Sequence, residues 1–111
     1  MSKVIESPVK RFPGTVTLPD DLDYLQGVTY ITAYRQAREL GKTATLVEFN
    51  HAMLPGICAC VESVAIESWP EKLTPEKVEK LKPGKAVAEV MAWLFPEIAA
   101  IYARAEDIPN A

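Results

Sequence analysis

Apolar residues alternate with polar ones only near the start of the chain. After Asp20 they recur every three or four positions. Thr15-Val16-Thr17-Leu18 alternates and is β-branched, which predicts a strand. Val4-Ile5 and Val9 supply a partner across the Pro13-Gly14 turn, while Pro8, Pro13 and Pro19 exclude a helix here. A first helix is predicted from Asp20 or Asp21 to Leu40-Gly41, with Leu22, Leu25, Val28, Ile31 and Ala37 on its apolar side and Gly27 marking a close helix crossing. Thr43 or Thr45 caps a second helix carrying Leu46, Phe49 and Met53. Pro55-Gly56 breaks it at Leu54, and a new segment runs from Gly56 to Ala65 on Ile57, Cys60, Val61 and Val64.

The chain then loosens over residues 67–72. Thr74-Pro75-Glu76 starts a short helix that Lys82-Pro83-Gly84 stops near Leu81. The last helix is predicted from Lys85 to Arg104, with Val87, Val90, Met91, Leu94, Ile98, Ile101 and Tyr102 on one stripe and a kink or split at Phe95 before Pro96. These elements predict a mainly α fold in one domain, 1–111. Residues 1–19 form an extended or β element, 20–105 hold four to five helical segments, and 106–111 are a frayed tail.

Composition narrows the function classes. The chain has 111 residues, 49% of them hydrophobic and 24% charged, which suits one folded core and not disorder. Its net charge of −3 is the wrong sign for a global nucleic-acid footprint. The basic cluster Lys77, Lys80, Lys82 and Lys85 is interleaved with Glu76 and Glu79 and reads as a solvated face. No uninterrupted apolar run reaches the ~18 residues of a membrane span, and MSKVIESPVKRF lacks the apolar centre of a signal peptide. A cytoplasmic protein without membrane or nucleic-acid partners is expected.

Candidate chemistry is sparse. His51, the only histidine, follows Glu48 by three residues, which is one half of a di-iron pattern without the other half. Cys58 and Cys60 stand two apart, too close for favourable disulfide geometry and too few for the usual zinc sets. They read as buried small apolar residues. The glycines at 14, 27, 41, 56 and 84 are isolated and build no phosphate cradle. The expectation is a protein with no catalytic residue, metal or cofactor.

Apolar supply is the remaining feature. Ala92-Trp93-Leu94-Phe95 runs continuously around the last helix, and a helix apolar on more than one side is either central in its own fold or docked to a partner. On the second reading Trp93, Phe95, Ile98 and Tyr102 form a protein-binding surface, with Leu25 and Tyr34 contributed by another helix.

Three stretches also carry a family resemblance. They are Glu6-Ser7-Pro8-Val9-Lys10-Arg11-Phe12-Pro13-Gly14-Thr15-Val16, then Leu54-Pro55-Gly56-Ile57-Cys58-Ala59-Cys60-Val61-Glu62, then Ala92-Trp93-Leu94 followed by Glu97-Ile98 and Tyr102. In this order and spacing, over residues 6–105, the chain resembles small proteins encoded among the tail genes of long-tailed bacteriophages and prophages, which are tail assembly chaperones or minor tail components. Pro96 departs from that pattern. The resemblance implies a binding function in the bacterial host cytoplasm: such chaperones coat the tape measure protein and help recruit tail tube subunits. It carries over no catalytic residue. A self-associating homo-oligomeric virion component and a phage-encoded inhibitor of a host protein remain as alternatives.

Overall fold

The N-terminal alternation forms the predicted hairpin. In a computed structural model, which describes residues 2–106, β1 (Ser2–Glu6) pairs antiparallel with β2 (Gly14–Pro19), Ile5 opposite Val16. Alternation sets the faces: Val16 and Leu18 are buried, while Thr15 and Thr17 stand on the opposite side. The intervening loop is pinned by the Phe12 amide donating to the Val9 carbonyl, and it buries both side chains.

α1 (Tyr24–Arg38) starts later than predicted, because Asp23 and Gln26 form a reciprocal capping box. Thr45 is the cap of α2 (Leu46–Ala52), again with a capping box, and the hydrogen bonds from Thr45 hold the Glu48 carboxyl below its ordinary range. The chain breaks at Met53 and resumes as α3 (Leu54–Cys60) with Pro55 in the first turn. That helix stops well short of Ala65. The chain turns extended at Val61, the Glu62 amide donates to the Thr17 carbonyl, and β3 (Ser63–Ile66) adds to β2 with Val16 opposite Val64. Val64 and Ile66 are buried and Ala65 is exposed, the period of a strand. The mainly α expectation is corrected accordingly. Among the described residues there are five helices and a three-stranded antiparallel sheet of order β1-β2-β3, a mixed architecture.

α4 (Pro75–Glu79) has the predicted Thr74 cap, and α5 (Gly84–Glu106) follows a cis Lys82-Pro83 bond. Of the kink or split predicted at Phe95, the split does not occur: α5 runs through Pro96 as one helix. Pro96 lies on the exposed side, so its ring and the carbonyl it leaves unbonded fall away from the core. Over Gly84–Ala103 this helix is long and apolar enough, at mean hydropathy 1.4, to cross a membrane by length and composition. Here its stripe of Val87, Val90, Met91, Leu94, Ile98 and Ile101 is buried in the protein's own core. Of the frayed tail predicted for 106–111, Glu106 ends α5 and residues 107–111 lie outside the described residues.

The close helix crossing is at Gly56 and not at Gly27. A methyl group on Gly56 would stand 3.2 Å from the Ala33 Cβ and from the Tyr30 Cα of α1, whereas one on Gly27 would meet nothing within 4 Å. Opposite outcomes are therefore expected in urea denaturation. Gly27→Ala stabilises by about 0.5–1 kcal/mol through helix propensity. Gly56→Leu destabilises by about 2 kcal/mol or more, because α1 is pushed off α3.

Candidate interaction surface

Short-range packing decides which apolar side chains remain outside. α1 buries Tyr30, Ala33 and Ala37, and Gly56 comes close to the Ala33 methyl and the Tyr30 backbone on that face. Several large apolar residues are turned away: Tyr24 is 87% exposed, Leu25 71% and Val28 41%. Leu46 and Val47, in the first turn of α2, are 68% and 61% exposed. Leu46 was placed by spacing with Phe49 and Met53, yet only Met53 is fully buried.

The predicted site residues separate into three groups. Tyr34, Phe95 and Tyr102 are half-buried members of one chain of rings. Tyr102 stands 4.8 Å from Tyr30, Tyr30 is 6.2 Å from Tyr34, Tyr34 is 6.2 Å from Phe49, and Phe49 is 5.4 Å from Phe95. This ladder ties α1, α2 and α5 together with the edge-on and offset geometries that aromatic quadrupoles favour. Arg38 covers the Tyr34 face at 5.8 Å. Trp93 is half-buried against the core, outside the ladder. Leu25 is well exposed. Ile98 is corrected: at 0% exposure it belongs to the core, because the α5 stripe faces inward.

An apolar concavity lies elsewhere, between α2, α4 and the first half of α5. It has a volume of about 170 Å³ and is walled by Val47, Leu54, Val78, Leu81, Val87 and Met91. It opens outward over Leu46, Val47, Ala88 and Ala92, with Lys85 and Glu89 at its rim. Asn50 belongs to both parts. It is only 4% exposed, and its Oδ1 has no hydrogen-bond partner. An unsatisfied buried carbonyl costs about 1–3 kcal/mol. Asn50 drew no attention in the sequence, since an asparagine inside a short helix has no pattern of its own.

The groups weighed for chemistry are committed to structure. The Glu48 carboxylate accepts the Thr45 amide at 3.0 Å within the cap, and His51 stands exposed at the groove rim. Among the described residues no three His, Cys, Asp or Glu side chains come together in a way that could hold a metal ion. Cys58 and Cys60 are free and buried, and burial pushes both thiols up to about 12; Lys72 opposes this at Cys58, and Asp23 adds to it at Cys60. A thiol held protonated is a poor nucleophile and a poor metal ligand.

Comparison with protein-family models, curated proteins and solved structures finds no match to this chain.

Proposed function

We propose that this chain is a non-enzymatic protein-binding factor that shields an apolar helical segment of a phage tail structural protein, the tape measure or tail tube protein, in the host cytoplasm. The observation that carries this reading is the apolar groove between α2 and α5, with Leu46 and Val47 exposed at its mouth and the unpartnered Asn50 carbonyl in its wall. Two helices with Gly84, Ala88 and Ala92 along one side admit a third helix at short range, and an amphipathic helix seats its apolar face in such a groove. The resemblance to tail assembly chaperones supplies the biological setting. Trp93, Phe95, Tyr34, Tyr102 and Leu25 line neither part of this groove, so the reading moves the binding surface from them to α2 and the first half of α5.

The test is co-expression with a tape measure protein of a long-tailed phage. Wild-type protein is expected to hold that protein in the soluble fraction and to elute with it. Leu46→Asp/Val47→Asp is expected to lose both effects while keeping the wild-type circular dichroism and melting temperature. The two new carboxylates sit on exposed positions in the first turn of α2, where the helix dipole favours anions. Equal solubilisation by the folded double variant would refute the groove as the docking site.

A further inference from the structure

The two edges of the sheet are treated differently. At the β3 edge, the Val64 amide points away from β2 and donates to the Glu71 carbonyl at 2.8 Å, so the loop after β3 covers that edge. The β1 edge has no such cover. The Ser7 amide donates to the Gly14 carbonyl at 2.9 Å, which continues the β1–β2 register of Glu6 opposite Thr15. Bonded pairs alternate along an antiparallel ladder. Ser7, Ile5 and Lys3 therefore turn their backbone groups toward β2, while Ser2, Val4 and Glu6 turn theirs outward. Among the described residues no backbone group from outside the strand pair meets Val4 or Glu6, and the Val4 side chain is 62% exposed.

We propose that this edge is completed by a second copy of the chain. The two β1 strands pair antiparallel about a two-fold axis normal to the sheet, which joins the two sheets into one of six strands. The strand's own sequence selects the register. Directly opposed side chains lie on one face of a sheet, so a two-fold pairing must centre on Lys3, Val4 or Ile5. Centring on Lys3 sets like charges against each other. Centring on Ile5 sets Ser2 opposite Pro8, which has no N–H to give. Centring on Val4 pairs all five residues: Val4 with Val4, Ser2 with Glu6, and the Lys3 stem along Ile5. Lys3 can then keep its ion pair with Glu97, 3.7 Å away. This self-complementarity favours a second copy over an unrelated extended peptide. A five-residue strand pair buries less than the ~1,200 Å² of a standard interface, so association is weak and depends on concentration.

Sedimentation equilibrium of the full chain from about 10 µM to about 1 mM tests this, over a range chosen to bracket a weak dimer. Wild type is expected to fit a monomer–dimer equilibrium. Val4→Lys and Val4→Glu, both at an exposed position, are each expected to be folded monomers. Mixed together they should form a heterodimer, because only the Val4-centred register sets residue 4 opposite residue 4. Val4→Pro, which removes one outward N–H and leaves the bonds to β2, is expected to weaken the dimer in the same way. Wild type that stays monomeric across the range overturns the proposal. So does Val4→Lys that dimerises as tightly as wild type, or a mixture that forms no heterodimer.

Discussion

Gly14→Ala is expected to lower stability by about 3–5 kcal/mol, a large share of the ~5–15 kcal/mol typical of a domain. Gly14 has φ +146°, a region that side-chain-bearing residues avoid, and a methyl group there would stand 2.3 Å from the Ala65 carbonyl oxygen and 2.9 Å from Ile66 Cγ1. Both obstacles belong to β3, so relief requires β3 to leave β2 at the point where the sheet meets the core residues Val64 and Ile66. Gly41→Ala is the control. Its φ is +82° but a methyl group would meet nothing within 4 Å, so it carries only the conformational cost, about 1 kcal/mol. In thermal unfolding the Gly14 variant should melt some 15–30 °C below wild type, and the Gly41 variant well under 10 °C below it. Equal shifts would mean that the contact with β3 contributes nothing.

Much of the chain's punctuation is legible in its residues. The Thr45 cap, the Thr74-Pro75 start and the stop near Gly41 fall where capping chemistry puts them, because each depends only on its neighbours, whereas the first helix takes its cap from Asp23 and not from Asp20 or Asp21. The α5 stripe is legible too, since about four turns of regular spacing leave little ambiguity about which side is buried. What sequence reading misses depends on partners far along the chain. Ile57, Cys60, Val61 and Val64 fit a helix, and Val64 with Ile66 fits a strand; over so few residues the two periods coincide. The choice is made by β2, whose Thr17 carbonyl takes the Glu62 amide and draws the chain out of the helix.

α1 shows a second limit, and it governs the candidate site. Ranking by hydrophobicity places Leu25 and Val28 inside, yet the buried face is Tyr30, Ala33 and Ala37. Gly56 on α3 permits a backbone approach that only small residues can match, and the larger aliphatics are left outside as a consequence. The same logic exposes Leu46 and Val47. The surplus of apolar residues was visible in composition. Its location was not, because the location is set by which helix pairs pack most closely. Ile98 went the other way for the converse reason: α5 has bulky residues on its stripe and needs the whole interior to hold them.

The two thiols make stability fall steeply in alkali. Each folded-state value lies near 12 against 9.0 for a free thiol, so between those limits the unfolded chain releases a proton that the folded chain retains. The contribution is fully present below pH 9 and is lost as pH rises toward about 12, at a slope of ~1.4 kcal/mol per pH unit per thiol. Two thiols together should remove about 3–4 kcal/mol between pH ~9 and ~10.5. Tyrosines and lysines also titrate in this range, so wild type must be compared with Cys58→Ala/Cys60→Ala. The double variant begins less stable, because Cys60 is fully buried and its sulfur leaves a small void. Its loss of stability with pH should nevertheless be shallower, and the two denaturation curves should converge in alkali. Parallel curves would mean that both thiols ionise as readily in the fold as out of it. That result would also reopen the cysteine pair to the metal and nucleophile chemistry that its burial argues against.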